Sequence, residues 1–117
     1  LDSADYVRLL HLKEGYAVAR FSVSVGDWIA GRALAASALS DEGMLVLGIE
    51  CPGGHFIGAP GSDVEVRAGD EVLVYGAGER IRELRARAAG ESGDRSHAAA
   101  GGEHRERADS ERHRAGR

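Results

Sequence analysis

The sequence predicts a small α+β domain: a mixed or antiparallel sheet of short strands, with a short helix after the first strand and a second helix closing the sheet. Three observations predict it. Apolar and polar residues alternate from Tyr16 to Val25, short apolar runs recur between Gly and Pro turns from Met44 to Tyr75, and Ile81, Leu84 and Ala88 fall at helical spacing among arginines. All three lie in the first 89 of the 117 residues, because Gly90 to Arg117 contains no Val, Ile, Leu, Met, Phe, Trp or Tyr. The organisation read from this is a lead-in segment over 1–15, a folded domain over 16–89 and a disordered polar tail over 90–117.

Residues 1–15 set Val7, Leu9, Leu10 and Leu12 among charges with no clear period. From Tyr16 the alternation places Ala17, Ala19, Phe21, Val23 and Val25 on one face of a strand and Arg20, Ser22 and Ser24 on the other. Gly26-Asp27 breaks it. Ile29 to Leu39 is rich in Ala and Leu, with Leu34 and Ala38 four apart, which predicts a short helix opening near Gly31 and ended by Gly43. Met44 to Ile49 is almost continuously apolar and reads as a strand covered on both faces. Pro52-Gly53-Gly54 turns the chain, and His55-Phe56-Ile57 returns as the partner strand of a hairpin. Val64-Glu65-Val66 is a short strand after Ala59-Pro60-Gly61, Ala68-Gly69-Asp70 a tight turn, and Val72 to Tyr75 another strand before the last helix. This order of elements belongs to the α+β class. The tail, made of Ala, Gly, Ser, His and alternating Glu and Arg, cannot offset its ordering entropy by burial; at most it frays in and out of a solvated helix over about 103–114.

Charge and composition exclude several function classes. The first 89 residues hold 9 Lys+Arg against 13 Asp+Glu and the tail holds 6 against 6, so the whole balance of −4 sits on the domain. A basic face for duplex nucleic acid is missing. The single cysteine, Cys51, excludes an intrachain disulfide framework and cysteine-rich zinc sites, and fits a reducing compartment. Met44 to Ile49, the longest apolar run, is far short of the roughly 18–20 residues that span a bilayer, so this piece is read as soluble. It opens on Leu1 and not on a methionine, and is read as part of a longer protein. A domain of about 90 residues buries only about 60–65% of its extended-chain surface, so self-association would help it.

Single residues that could carry chemistry have plainer readings. Cys51 and His55, four apart, are half a metal site at most, and no metal is expected. His97, His104 and His113 stand on the polar tail and read as solvated. Asp27 and Asp70 each follow a glycine in a turn, where a carboxylate caps backbone amides, so they are not a catalytic pair. Trp28 is expected to pack in the core or at a dimer seam, the core being preferred. Gly76-Ala77-Gly78 runs from strand to helix but lacks the third glycine, the Lys-Ser/Thr step and the βαβ unit of a phosphate loop. No catalytic constellation can be assembled, and the chain is not read as an enzyme.

Five blocks together carry a family resemblance: Tyr16-Ala17-Val18, Gly26 to Leu34, Leu45 to Ile49, Gly58-Ala59-Pro60 and Ala68 to Gly76. In order and spacing, over about 16–88, they resemble the TrkA C-terminal domain, the second lobe of the regulator of potassium conductance (RCK). The resemblance implies a cytosolic, dimerising regulatory domain of a bacterial potassium or cation transport membrane protein, which senses a ligand and biases a gate at the cytoplasmic face of the inner membrane. The alternative it leaves is a purely structural dimerisation module without a small-molecule ligand. It also implies a ligand cleft between protomers, here lined by Leu34, Leu39, Ser40, Leu45 and Pro60. Some similar domains bind a cyclic dinucleotide there, through an Arg at the end of the first helix and an Asn on the next strand. This chain has Ala38-Leu39-Ser40 and Met44-Leu45 at those places, and neither Ser40 nor Leu45 replaces a guanidinium on a phosphate. No cofactor is therefore assigned.

Overall fold

A computed structural model of the chain describes residues 6–115. Five strands form one antiparallel sheet in the order β1 (Tyr6–His11), β2 (Tyr16–Ser22), β7 (Glu71–Ala77), β4 (Leu45–Glu50) and β5 (Phe56–Gly58). A separate two-stranded ribbon pairs β3 (Arg32–Ala33) with β6 (Glu65–Val66). Three α-helices complete the α+β fold: α1 (Leu34–Ser37), α2 (Gly78–Ala86) and α3 (Glu91–Ala115). Short 3₁₀ turns occupy Lys13–Gly15 and Leu39–Glu42.

The core follows the alternation of β2 and β7. Ala17, Ala19, Phe21 and Val23 point inward together with Val72 and Val74, and Ile81 and Leu84 of α2 close over them. Ile29, Leu39, Met44, Ile49 and Val66 extend the same cluster. Val25, grouped with the inward face by its spacing, is instead 89% exposed, because β2 ends at Ser22 and the chain is already turning into Gly26.

Three further expectations are corrected. The helix expected over Ile29 to Leu39 shrinks to Leu34–Ser37: Gly31 has φ +83° and Ala38 sits in the left-handed region at φ 47°, so the α-helix is bounded on both sides. The strand after it is not covered on both faces. Leu45 and Leu47 are exposed, since β5 is a three-residue edge strand and a register shift between Val46 and Gly48 turns the strand locally. The polar segment after Gly90, expected to be disordered, forms α3 along the domain, against the 3₁₀ turn at Leu39–Glu42. The part of the lead-in before Tyr6 lies outside the described residues, and the rest supplies β1, an edge strand on β2.

Candidate functional site

The residues expected to line a cleft are distributed around one end of the sheet. Leu34 opens α1 and packs against the core, where its amide donates to Val64 O at 3.0 Å. Leu39 is itself core, in the 3₁₀ turn; Ser40 beside it is exposed. Leu45 is 53% exposed at the start of β4, opposite Tyr75 of β7, and Pro60 follows the edge strand β5 half-buried. Leu34 and Leu39 are therefore engaged in packing, while Ser40 and Leu45 face solvent and are free to meet a second molecule.

A denser set of polar contacts surrounds Trp28. Trp28 is 2% exposed, as core packing requires, yet its neighbours are charged. The Arg32 guanidinium lies 4.2 Å from the ring centroid, that of Arg87 lies 4.7 Å away, and the His97 ring stacks at 5.1 Å. Trp28 Nε1 donates to Asp94 Oδ1 at 2.9 Å. Arg87 grips the buried Glu42 carboxylate with two bonds, Nη1 to Oε2 at 3.0 Å and Nη2 to Oε1 at 2.7 Å, and also donates to Glu83. Burial alone would push the Arg87 pKa down; the hydrogen bonds and charges of Glu42 and Glu83 outweigh it and hold the pKa above the ordinary guanidinium value. His97 Nδ1 meets Glu42 Oε2 at 2.5 Å, so this histidine is not the solvated residue its polar segment suggested. His104 packs over Gly43, and the His113 side chain lies outside the described residues.

The remaining candidates have structural roles. Asp27 accepts the Ser24 amide at 2.8 Å and Asp70 the Arg67 amide at 2.9 Å, each closing its own turn. Cys51 N donates to His55 O at 2.7 Å across the Pro52-Gly53-Gly54 turn, which accounts for their proximity. Among the described residues no group of three His, Cys, Asp or Glu could hold a metal ion. Gly76 ends a buried row of β7 and Gly78 opens α2, beside a cavity of about 330 Å³ lined on its far side by Glu103, His104 and Arg107 of α3.

The family model of the TrkA-C domain matches residues 18–89. The chain belongs to the TrkA-C domain family. Members of this family are regulatory domains and not enzymes. No curated protein sequence matches the chain. Among solved structures, a GsuK channel bound to NAD resembles it with a TM-score of 0.51 and 22% identity over 74% of this chain and 14% of that one. A crystal structure of the GsuK RCK domain resembles it with a TM-score of 0.49 and 23% identity over 74% of this chain and 17% of that one. The chain thus spans about a seventh of the channel it resembles, and the likeness is one of fold. Among the described residues no helix is long and apolar enough to cross a membrane. The TrkA-C match ends at Ala89, so α3 and its anchors Asp94, His97 and Glu103 lie beyond the family's own pattern.

Periodicity could not have found the contacts of α3, since they pair residues 23 to 91 positions apart, such as Arg80 with Glu103, Glu42 with His97 and Tyr16 with Arg107. One signal was available: Gly93, His97, Ala100, His104 and Arg107 fall at alternating steps of four and three. That is the spacing of a buried helical stripe, filled here by small and polar residues.

Proposed function

We propose that this chain is the regulatory domain of a bacterial potassium or other cation transport membrane protein, working as a homodimer at the cytoplasmic face of the inner membrane. The TrkA-C match over 18–89 carries the proposal. Its mechanism is linkage: a ligand that prefers one arrangement of two paired domains shifts the attached transport region by that preference and no more. The ligand cleft is formed between protomers by Leu34, Ser40, Leu45 and Pro60, with the buried Leu39 supporting it from the core. Ser40 and Leu45, exposed where an Arg and an Asn would hold phosphates, count against a cyclic dinucleotide. They also favour a second reading, a dimerisation module without a small-molecule ligand.

Support for self-pairing comes from the outer face of the sheet. Leu10, Val18, Tyr75 and Leu45 pair across β1, β2, β7 and β4, so they form one apolar row on one face, with Leu10 56% and Leu45 53% exposed. Contiguous apolar surface of this kind marks contact with another molecule.

Thermal unfolding of the chain against a panel of NAD, cyclic dinucleotides and alkali cations separates the two readings. A ligand that binds only the folded form raises the midpoint with concentration, by the equivalent of about 2.7 kcal/mol at a hundredfold excess over Kd. A midpoint unmoved by the whole panel removes ligand sensing and leaves the dimerisation module. For the transport context, deletion of residues 18–89 from the protein that carries them is expected to change its potassium flux; unchanged flux and unchanged gating would overturn it.

A further inference from the structure

We propose that α3 is a releasable strap, a helix held on the domain by polar anchors, whose detachment at Gly90 uncovers Trp28 and the Glu42–Arg87 pair. It docks through one stripe. Gly93 lies against Trp28 and Ala88 O so closely that a Cβ would come within 2.1 Å of that oxygen. His97 stacks on Trp28 and meets Glu42, His104 lies over Gly43, and the Arg107 guanidinium sits 5.3 Å from the Tyr16 ring centroid. The docking is therefore specific in shape.

It is weak in apolar content. Among the described residues of α3 those fully buried are Gly93, Ala100 and Gly101, so the helix itself removes two glycines and one methyl group from water, beside the partly buried His97 ring on Trp28. What remains is hydrogen bonding and charge: Asp94 on Trp28 Nε1 and, at 3.3 Å, on Arg32; Glu103 on Arg80; His97 on Glu42. The Asp94 and Glu103 side chains are more than 60% exposed, so salt screens both pairs.

The surface beneath is satisfied without the strap. Glu42 keeps both bonds to Arg87, Arg87 keeps Glu83, and Trp28 keeps the Arg32 guanidinium over its ring and the bond from its amide to Arg87 O. Release leaves Trp28 Nε1, a lone pair of Glu42 and the Arg32 and Arg80 guanidinium ends for water, and no buried charge without a partner. The pivot is defined as well. Ala89 N donates to Gly26 O and ties the chain to the domain up to that residue, while Gly90 has φ +114° and its carbonyl accepts the first amide bond of the helix, from Asp94. The sheet is the same in both states.

Hydrogen exchange of the full chain, read together with quenching of Trp28, the single tryptophan, tests this. Raising KCl from about 0.1 to about 1 M shortens the screening length from about 10 to about 3 Å. The expected result is at least about tenfold faster exchange along α3 and stronger acrylamide quenching of Trp28, with β2 and β7 amides unchanged. Gly93→Ala is expected to give the same signature at low salt, and His97→Ala, which introduces no clash, to give it more mildly. Protection of α3 equal to that of β7 at both salt concentrations would overturn the proposal. So would α3 amides unprotected at 0.1 M in the unaltered chain, or wild-type Trp28 quenching in both variants.

Discussion

Arg87 and Glu42 are almost wholly removed from water, with side chains 1% and 0% exposed. Two charges persist there because the guanidinium fork meets both carboxylate oxygens and takes Glu83 as well. Arg87→Met keeps the side-chain volume but leaves a carboxylate buried without its main partner, and is expected to cost about 3–5 kcal/mol, read as a lower urea midpoint. Arg87→Met with Glu42→Leu removes both charges and is expected to recover most of the loss. A double variant as unstable as the single one would mean that packing under Trp28, and not the charge, sets the cost. The pH dependence has a definite sign. A group whose pKa is raised on folding contributes stability that is fully present below its unfolded value and is lost only as pH rises through the folded one. Arg87 therefore adds no slope to stability between about pH 5 and 9.

Among the elements, the junction between α1 and the 3₁₀ turn separates what local sequence determines from what tertiary packing decides. The strands β2, β4 and β7 were legible as strands because alternation and apolar runs mark them, though the run of β4 did not show which of its faces is bare, and α2 was legible because Ile81 and Leu84 stand one turn apart. The limits of α1 were not legible, since an alanine at position 38 advertises helix, whereas the backbone there is left-handed at φ 47° and ψ 43°. Leu39 and Met44 impose that conformation by entering the core on either side of the turn. Of the proposed cleft, apolar character alone did not tell packing from exposure: Leu39 is core and Leu34 half-buried against it, whereas Leu45 is exposed because β5 is short and the register shifts beside Gly48. The left-handed alanine yields a prediction of its own. A Cβ in that region costs about 1–2 kcal/mol, and glycine returns about 0.4–1 kcal/mol of this as extra entropy in the unfolded chain. Ala38→Gly is thus expected to stabilise the chain by about 0.5–1 kcal/mol in chemical denaturation, and a loss of stability would show that the 38–43 turn is held without strain.

For the whole molecule, the question is what covers the outer face of the sheet. The inner face is closed by α2 and the core beneath it, and α3 runs past the 3₁₀ turn, but Leu10 and Leu45 at the two ends of the cross-strand row face water. A second copy placed on that row would bury apolar surface that a domain this small otherwise leaves wet. Leu45→Lys tests the seam without disturbing the fold, because a change at a residue already half-exposed alters monomer stability by no more than about 0.5 kcal/mol. A lysine in a desolvated seam, by contrast, must leave water without a partner. Light scattering and sedimentation are expected to show a dimer for the unaltered chain and at least about tenfold weaker association for the variant, which corresponds to about 1.4 kcal/mol. Equal association in both would move the seam away from β4, and a monomeric unaltered chain at high concentration would remove the dimer and, with it, the cleft at Leu34, Leu39, Ser40, Leu45 and Pro60.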